Sequence, residues 1–360
     1  MRIRAACGIA VMLVLGGAAG AAPADRLDGF RELVHRHLEA PAPPGSEAAR
    51  RALGEIYALV DAEILESLRS GGPFASAPFL QERLEGFSAA WGGALFRVAP
   101  VERPGGARAL TLGLFSLAGV RQSGSLRMYG WSGGVTGSAP ALLGEVTDDG
   151  KPEPHAWPAG RGGAPRFVVS WAGAGLGDGG RPLRIELWSV ERDGPPRRLW
   201  SSTTHFPEGL WAVEWDIRPG EISVRRELRY PGWTPGCPGQ AEEELSYRLR
   251  APTGDLVLAR RRSINGWHRE LGAAAARVFG ALAAGDRRAL GDVVPDAALR
   301  NRLPASLVVE PACDAMVAGT GSAVLVAATA YDGGRPVPWS LTWARGPRGW
   351  RLTAAAPVLQ

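Results

Sequence analysis

Apolar residues recur at three- and four-residue spacing over the first quarter of the chain. In "SEAARRALGEIYALVDAEILESLRSGG", Ala49, Leu53, Ile56, Val60, Ile64 and Leu68 form one stripe, with Ser46 placed as N-cap and Gly71-Gly72 as a stop. Leu27, Phe30, Leu33 and Leu38 follow the spacing less cleanly, as do Leu80, Leu84, Phe87 and Trp91. The pattern predicts three short amphipathic helices over residues 25–93, each needing a surface to cover.

From about Ala94 the period changes to two. Shifting the chain by 57 residues aligns "SLRMYGWS" with "PLRIELWS", which matches Leu126 to Leu183, Arg127 to Arg184, Trp131 to Trp188 and Ser132 to Ser189. A second echo sets Arg103-Pro104-Gly105 opposite Arg218-Pro219-Gly220. The repeat reads as four strands joined by turns and Gly-rich loops, with copies starting near Ala94, His155 and Leu210. The third copy closes on the hairpin "YRLRAPTGDLVLARR", whose Thr253-Gly254-Asp255 supplies turn residues. Residues 94–265 are thus expected to form an antiparallel β-repeat domain of three four-stranded units. In strand count and length each unit resembles a propeller blade. A β-trefoil and a sandwiched sheet also use such units, and an open blade-like array whose edge is covered by a neighbouring domain is the preferred arrangement.

Residues 266–360 give helices first and strands afterwards. "HRELGAAAARVFGALAAGDRRALGDVV" predicts one amphipathic helix through Leu271, Ala275, Val278, Phe279 and Leu282, and a second, short one around Ala289. "SLVVE", "GSAVLVAATAYD", "PVPWSLTWARG" and "GWRLTAAAPV" predict strands, the last two as a hairpin about Gly346-Pro347-Arg348-Gly349. The helix ending "ALAAGDRRAL" and the closing "WSLTWARGPRGWRLTAAAPV" resemble the α+β cone domains of the nuclear transport factor-like class. That resemblance implies a cone-shaped pocket used for binding or, in some members, for catalysis; the catalytic carboxylate and histidine of the class are not carried over to this chain, because its strands are mostly apolar and Asp314 and Asp332 fall near turns. The fold class expected overall is multidomain α+β.

Arg2 and Arg4 precede the apolar run Ile9 to Leu15 and then "GGAAGAAPA". This predicts a signal peptide over residues 1–24, cut after Ala21 or Ala24, and therefore export to the periplasm or beyond. The run is too short for a membrane span, so no stable transmembrane segment is expected after cleavage. Cys7 lies ahead of the run and leaves with it. The mature chain then holds Cys237 and Cys313, which an oxidising compartment would join as a disulfide between the β domain and the C-terminal domain. Lys151 is the one lysine among 41 basic residues. With 49 Gly and 29 Pro, this indicates compositional bias, and scattered arginines on an exported chain argue against nucleic acid as partner.

Candidate chemistry is sparse. "GAGLGDGG" follows a strand but leads into Arg181-Pro182 and another strand, so it lacks the helix N-terminus that a phosphate loop requires. His35 and His37 are two apart on a helix and cannot chelate one ion; no zinc or calcium pattern occurs, and neither metal nor cofactor is expected. Glu242 and Glu244 share one strand face, which reads more simply as solvated than as an acid/base pair. No Gly-x-Ser-x-Gly elbow is present. Thirteen tryptophans stand out, and Trp157, Trp171 and Trp233 sit beside Pro or Gly, where exposed rings would bind sugars or peptides. The expected function is therefore an exported, non-catalytic binding or scaffold protein of the bacterial envelope, taking a glycan or a protein. The alternative is a secreted hydrolase with its site between the β array and the C-terminal domain.

Overall fold

The computed structural model describes residues 23–43, 45–106, 108–120, 123–131, 139–175, 179–191, 194–234, 237, 239–250, 254–310, 316–317 and 323–358. Most of the expected signal peptide, and Cys313, lie outside these residues. The chain divides into two compact units between Ala94 and Leu95.

The first unit holds α1 (Pro23–Glu39), α2 (Glu47–Ser70) and α3 (Ala77–Trp91). Ser46 caps α2, its Oγ accepting the Ala49 N–H at 3.1 Å, and Gly71 ends it at φ +66. The whole stripe from Ala49 to Leu68 is buried, as are Leu80, Leu84, Phe87 and Trp91. Leu38 is the exception: α1 turns it outward and buries Phe30 and Val34 instead. Inside the unit, Glu63 is buried between two arginines, with Arg26 Nη1 at 3.0 Å and Arg83 Nη2 at 2.6 Å. A buried carboxylate must be met by cations in this way, since leaving it unpaired costs several kcal/mol.

The second unit is mixed α+β and mainly antiparallel. β1 (Leu95–Glu102), β2 (Arg108–Ser116), β3 (Gly124–Trp131) and β4 (Pro140–Asp148) form a four-stranded meander. β5 (Lys151–Trp157), β6 (Arg166–Ala172), β7 (Arg181–Ser189), β8 (Arg197–Ser201), β9 (Leu210–Arg218), β10 (Glu221–Glu227), β11 (Glu242–Arg250) and β12 (Asp255–Ile264) belong to one eight-stranded sheet. The second and third of the expected units share hydrogen bonds because β7 has two neighbours on one side. Its first residues pair with β9 (Leu183↔Leu210) and its last with β8 (Glu186↔Ser201). A four-residue helix, α4 (Ser202–His205), follows β8.

The two sheets pack through Leu110, Leu112, Leu114, Leu126 and Met128 of the first and Phe167, Val169, Trp171 and Trp188 of the second. The chain crosses from β4 to β5 through Asp149-Gly150. Gly150 sits at φ +104, and a Cβ there would stand 2.7 Å from Ala172 O, while one on Gly124 would strike the main chain of Gly150. The seam is therefore closed by backbone against backbone. The eight-stranded sheet curls round a second core that joins Trp157, Val168 and Ile185 to Ile222, Leu245, Tyr247 and Leu256. Arg166 Nη1 donates to Gly254 O at 3.0 Å and ties the β5–β6 end to the β11–β12 turn.

The C-terminal part is α5 (Trp267–Ala283), α6 (Ala297–Arg302), β13 (Val308–Val309), β14 (Met316–Val317), β15 (Ala323–Asp332), β16 (Arg335–Gly346) and β17 (Gly349–Pro357). Leu271, Ala275, Val278 and Leu282 of α5 pack on Val324, Val326, Leu341, Trp343 and Leu352. The second helix lies eight residues later than expected around Ala289. Asp286 Oδ1 accepts from the Arg288 and Ala289 N–H groups and makes a turn there, whereas Asp296 caps Ala298 and Leu299 to start α6.

Candidate functional site

The three tryptophans chosen as ligand faces separate on folding. Trp157 is 7% exposed and Trp171 1%, each inside a core, so neither offers an open ring face. For Trp171 the expectation fails because β6 is buried on both sides along most of its length, with one face on each core; Trp157, on β5, is covered by the second core. Trp233 is half-buried and donates its Nε1–H to Glu227 at 3.2 Å. Trp131 and Trp188, aligned by the repeat, both lie on the third strand of their runs. Trp188 is buried and donates to Glu186, while Trp131 is 38% exposed.

One crevice opens where β1 and β2 of the first sheet meet β5 and β6 of the second. It has a volume of about 410 Å³ and is lined along one wall by Ala99 to Glu102 and along the other by Pro154 to Trp157, with Arg166 and Phe167 at its base. A neighbouring hollow of about 340 Å³ runs on past Arg103, Pro104 and Gly162 to Pro165. His155 Nε2 lies 2.9 Å from Ser170 Oγ. Burial lowers the imidazole's pKa below its ordinary value, against an opposing pull from Glu153 and Asp216. Trp157 carries a buried Nε1–H with no acceptor among the described residues.

At the other end of β11, a second cluster assembles under the loop 228–241. Glu227 and Glu242 are direct cross-strand partners. Glu227 is buried and accepts from Gly180 N–H at 2.6 Å as well as from Trp233. Burial raises the Glu242 pKa; the Glu227 charge adds to that, and Arg225 opposes it. Burial likewise lifts the Tyr230 hydroxyl to about 12. Arg229 lies over both Trp211 and Trp233, 5.4 and 5.1 Å from the ring centroids. Glu244, the other carboxylate on this strand face, meets Arg262 at 3.6 Å. The same loop carries Cys237, which is buried and disulfide-bonded. The loop also reaches the C-terminal part: a Cβ on Gly272 of α5 would collide with Pro231 O and stand 2.9 Å from the Tyr230 ring.

Sequence reasoning missed the most deeply buried carboxylate. Glu186 accepts from Arg198 at 2.8 Å and Trp188 at 3.1 Å and is also bound by Arg184, which continues to Asp148 at 2.6 Å. The signal available was the pair Arg184/Trp188 flanking an acid two residues from each. Among the described residues no three His, Cys, Asp or Glu side chains converge as a metal site, and no helix is long and apolar enough to cross a membrane.

No protein-family model matches the chain, and none of the curated proteins matches it. Among solved structures, the β-propeller domain of Vanderwaltozyma polyspora Nup133 is similar at a TM-score of 0.26 and 9% identity, over 74% of this chain. The match spans 62% of that domain's length. A likeness at that TM-score leaves the chain's own topology as the basis for its fold: a β-rich, mixed α+β protein built mainly of antiparallel sheets.

Proposed function

We propose that this chain is an exported, non-catalytic binding protein of the bacterial cell envelope, acting in the periplasm or outside the cell, and that its ligand site is the crevice between the two sheets. The observation that carries this reading is the crevice itself, a concave site of about 410 Å³ that combines apolar walls with Glu102, His155, Trp157 and Arg166. The reading takes the strands as three four-stranded, blade-like runs, β1–β4, β5–β8 and β9–β12, and residues 266–360 as a cone domain of the nuclear transport factor-like class. Support for the runs is their consecutive antiparallel pairing and the shared strand position of Trp131 and Trp188. Cys237 pairs with Cys313 in this reading, fastening the loop 228–241 to the C-terminal part.

A single reporter tests it. Ala156→Cys, at an exposed position on the crevice wall, is labelled with an environment-sensitive fluorophore and exposed to soluble envelope glycan fragments and to purified envelope proteins. A saturable change with either class is expected. The second reading, a hydrolase, draws on Glu227 and Glu242 under the loop that meets α5, with Glu242 as the proton donor because its pKa is raised. Silence of the reporter, together with turnover of chromogenic glycosides or esters that Glu242→Gln abolishes, would replace the first reading by the second.

A further inference from the structure

Alternate residues of β15 meet opposite surroundings. Val324, Val326, Ala328 and Ala330 lie in the core with α5, whereas Leu325, Ala327 and Tyr331 turn the other way and are exposed. Cross-strand pairing continues that outer face over Val308 of β13, Ser340 and Thr342 of β16, and Ala354 and Ala356 of β17. Val358 extends it, its N–H donating to Pro338 O at 2.8 Å. Eight large apolar side chains are exposed among the described residues, and four of them, Val308, Leu325, Tyr331 and Val358, fall on this one face at 45 to 53% exposure. A gathering of that kind marks a surface that another surface covers.

The outer face of β9–β12 shows how the same chain finishes a sheet for water. There Glu214, Arg225, Glu244 and Arg262 alternate in sign along one cross-strand row, with ion pairs of 3.4 Å at its start and 3.6 Å at its end. The C-terminal face has no such row. Within it stand one acid and one base, on opposite edges. Glu310 donates its N–H to Ala327 O just past β13, and its carboxylate accepts the Thr329 hydroxyl. Arg351 lies on β17 opposite Ala344, half-buried, with no acceptor for its Nε–H. Neither makes an ion pair among the described residues.

A charged partner or an anionic membrane would need an excess of one sign, which this face does not offer. A second copy offers the same apolar surface and the two missing counter-charges. Glu310 is level with Ala327 and Ser340, and Arg351 with Ala344, so the midpoint between the two charges falls by Leu325 and Thr342. A two-fold axis there exchanges the edges. We propose that the outer face of β13 and β15–β17 is a homodimer interface in which Glu310 of one protomer meets Arg351 of its partner and Leu325 packs at the centre. The contact is then isologous, and each ion pair occurs twice. Four strands about 4.8 Å apart and about 27 Å of β16 cover roughly 500 Å² per copy, near the lower limit for a specific interface, so the dimer should form in the micromolar range. This inference goes beyond the binding reading and does not use the crevice, so either can fail alone.

Sedimentation equilibrium of the full protein between about 1 and 500 µM provides the test, with melting temperatures recorded for every variant. The mass should rise from monomer to dimer across that range. Leu325→Asp sets two like charges at the axis and should weaken association at least about tenfold with the melting temperature held, because the side chain is exposed. Glu310→Arg and Arg351→Glu should each weaken the dimer about fivefold, and the two together should restore it, which a purely structural role for either residue would not produce. A protein that stays monomeric throughout overturns the proposal. So does a dimer indifferent to Leu325→Asp, which would use another face, and a double charge reversal without rescue would overturn the two-fold pairing.

Discussion

The two ends of β11 are finished in opposite ways. Where β11 begins, at Glu242, the loop 228–241 covers the strand ends, Glu227 has its hydrogen bonds filled, Cys237 is cross-linked and α5 presses down through Gly272. Where β11 ends, towards the β11–β12 turn, Arg166 makes one bond to Gly254, and the open crevice lies beside it. The same sheet thus has a sealed end and an unfinished one.

The largest effect should come from cutting the cross-link at the sealed end. In the proposed pairing with Cys313 the bond closes a loop of roughly 75 residues, and Cys237→Ser should cost about 4 kcal/mol by denaturant unfolding. Thiol labelling of the native protein without reductant should leave Cys237 unreacted; full labelling of both cysteines would remove the pairing.

Gly272→Ala should follow. In an unobstructed helix alanine is favoured over glycine by about 1 kcal/mol. Here the added methyl meets main-chain oxygen, so the sign reverses and about 1–3 kcal/mol is lost. A more stable Gly272→Ala protein would show that the loop does not press on α5.

The smallest effect is one of pH, and it sharpens the contrast. His155 at the crevice and His268 on α5 have pKa values lowered by burial, so the unfolded chain takes up their protons at higher pH than the folded one. Their stabilising contribution is present above the ordinary value of 6.5 and is lost as pH falls through the lower folded values. Glu242 has the opposite sign, since its raised pKa favours the fold on the acid side of its titration. The melting temperature should therefore drop below about pH 6.5. His155→Gln should blunt that drop without altering behaviour at pH 8.

Much of the fold was legible in the sequence wherever a stripe had one buried side. α2 and its Ser46 cap, the antiparallel β character after Ala94 and the β16–β17 hairpin all follow from periodicity, because a single face meets the core. The burial of Trp171 was not legible, because a strand covered on both faces loses the alternation that distinguishes inside from outside; that of Trp157, on β5, was hidden because its cover comes from the distant strands of the second core. Glu63 and Glu186 were hidden for a related reason. A carboxylate in an amphipathic pattern reads as solvent-facing, and only the arrangement of distant arginines shows it to be buried. The crevice was partly legible: the prolines of "KPEPHAW" are visible in the sequence, but the strand opposite them is not.

The glycine seam between the sheets bears on how fast anything can enter. With Gly124, Gly150 and Ala172 touching through their main chains, the four-stranded sheet has no slack with which to swing away from its neighbour. In the proposed binding reading, a ligand arriving at the crevice meets a doorway that is already open. Occupancy should then be a one-step event whose observed rate climbs in proportion to ligand concentration, without the plateau that a gating motion imposes.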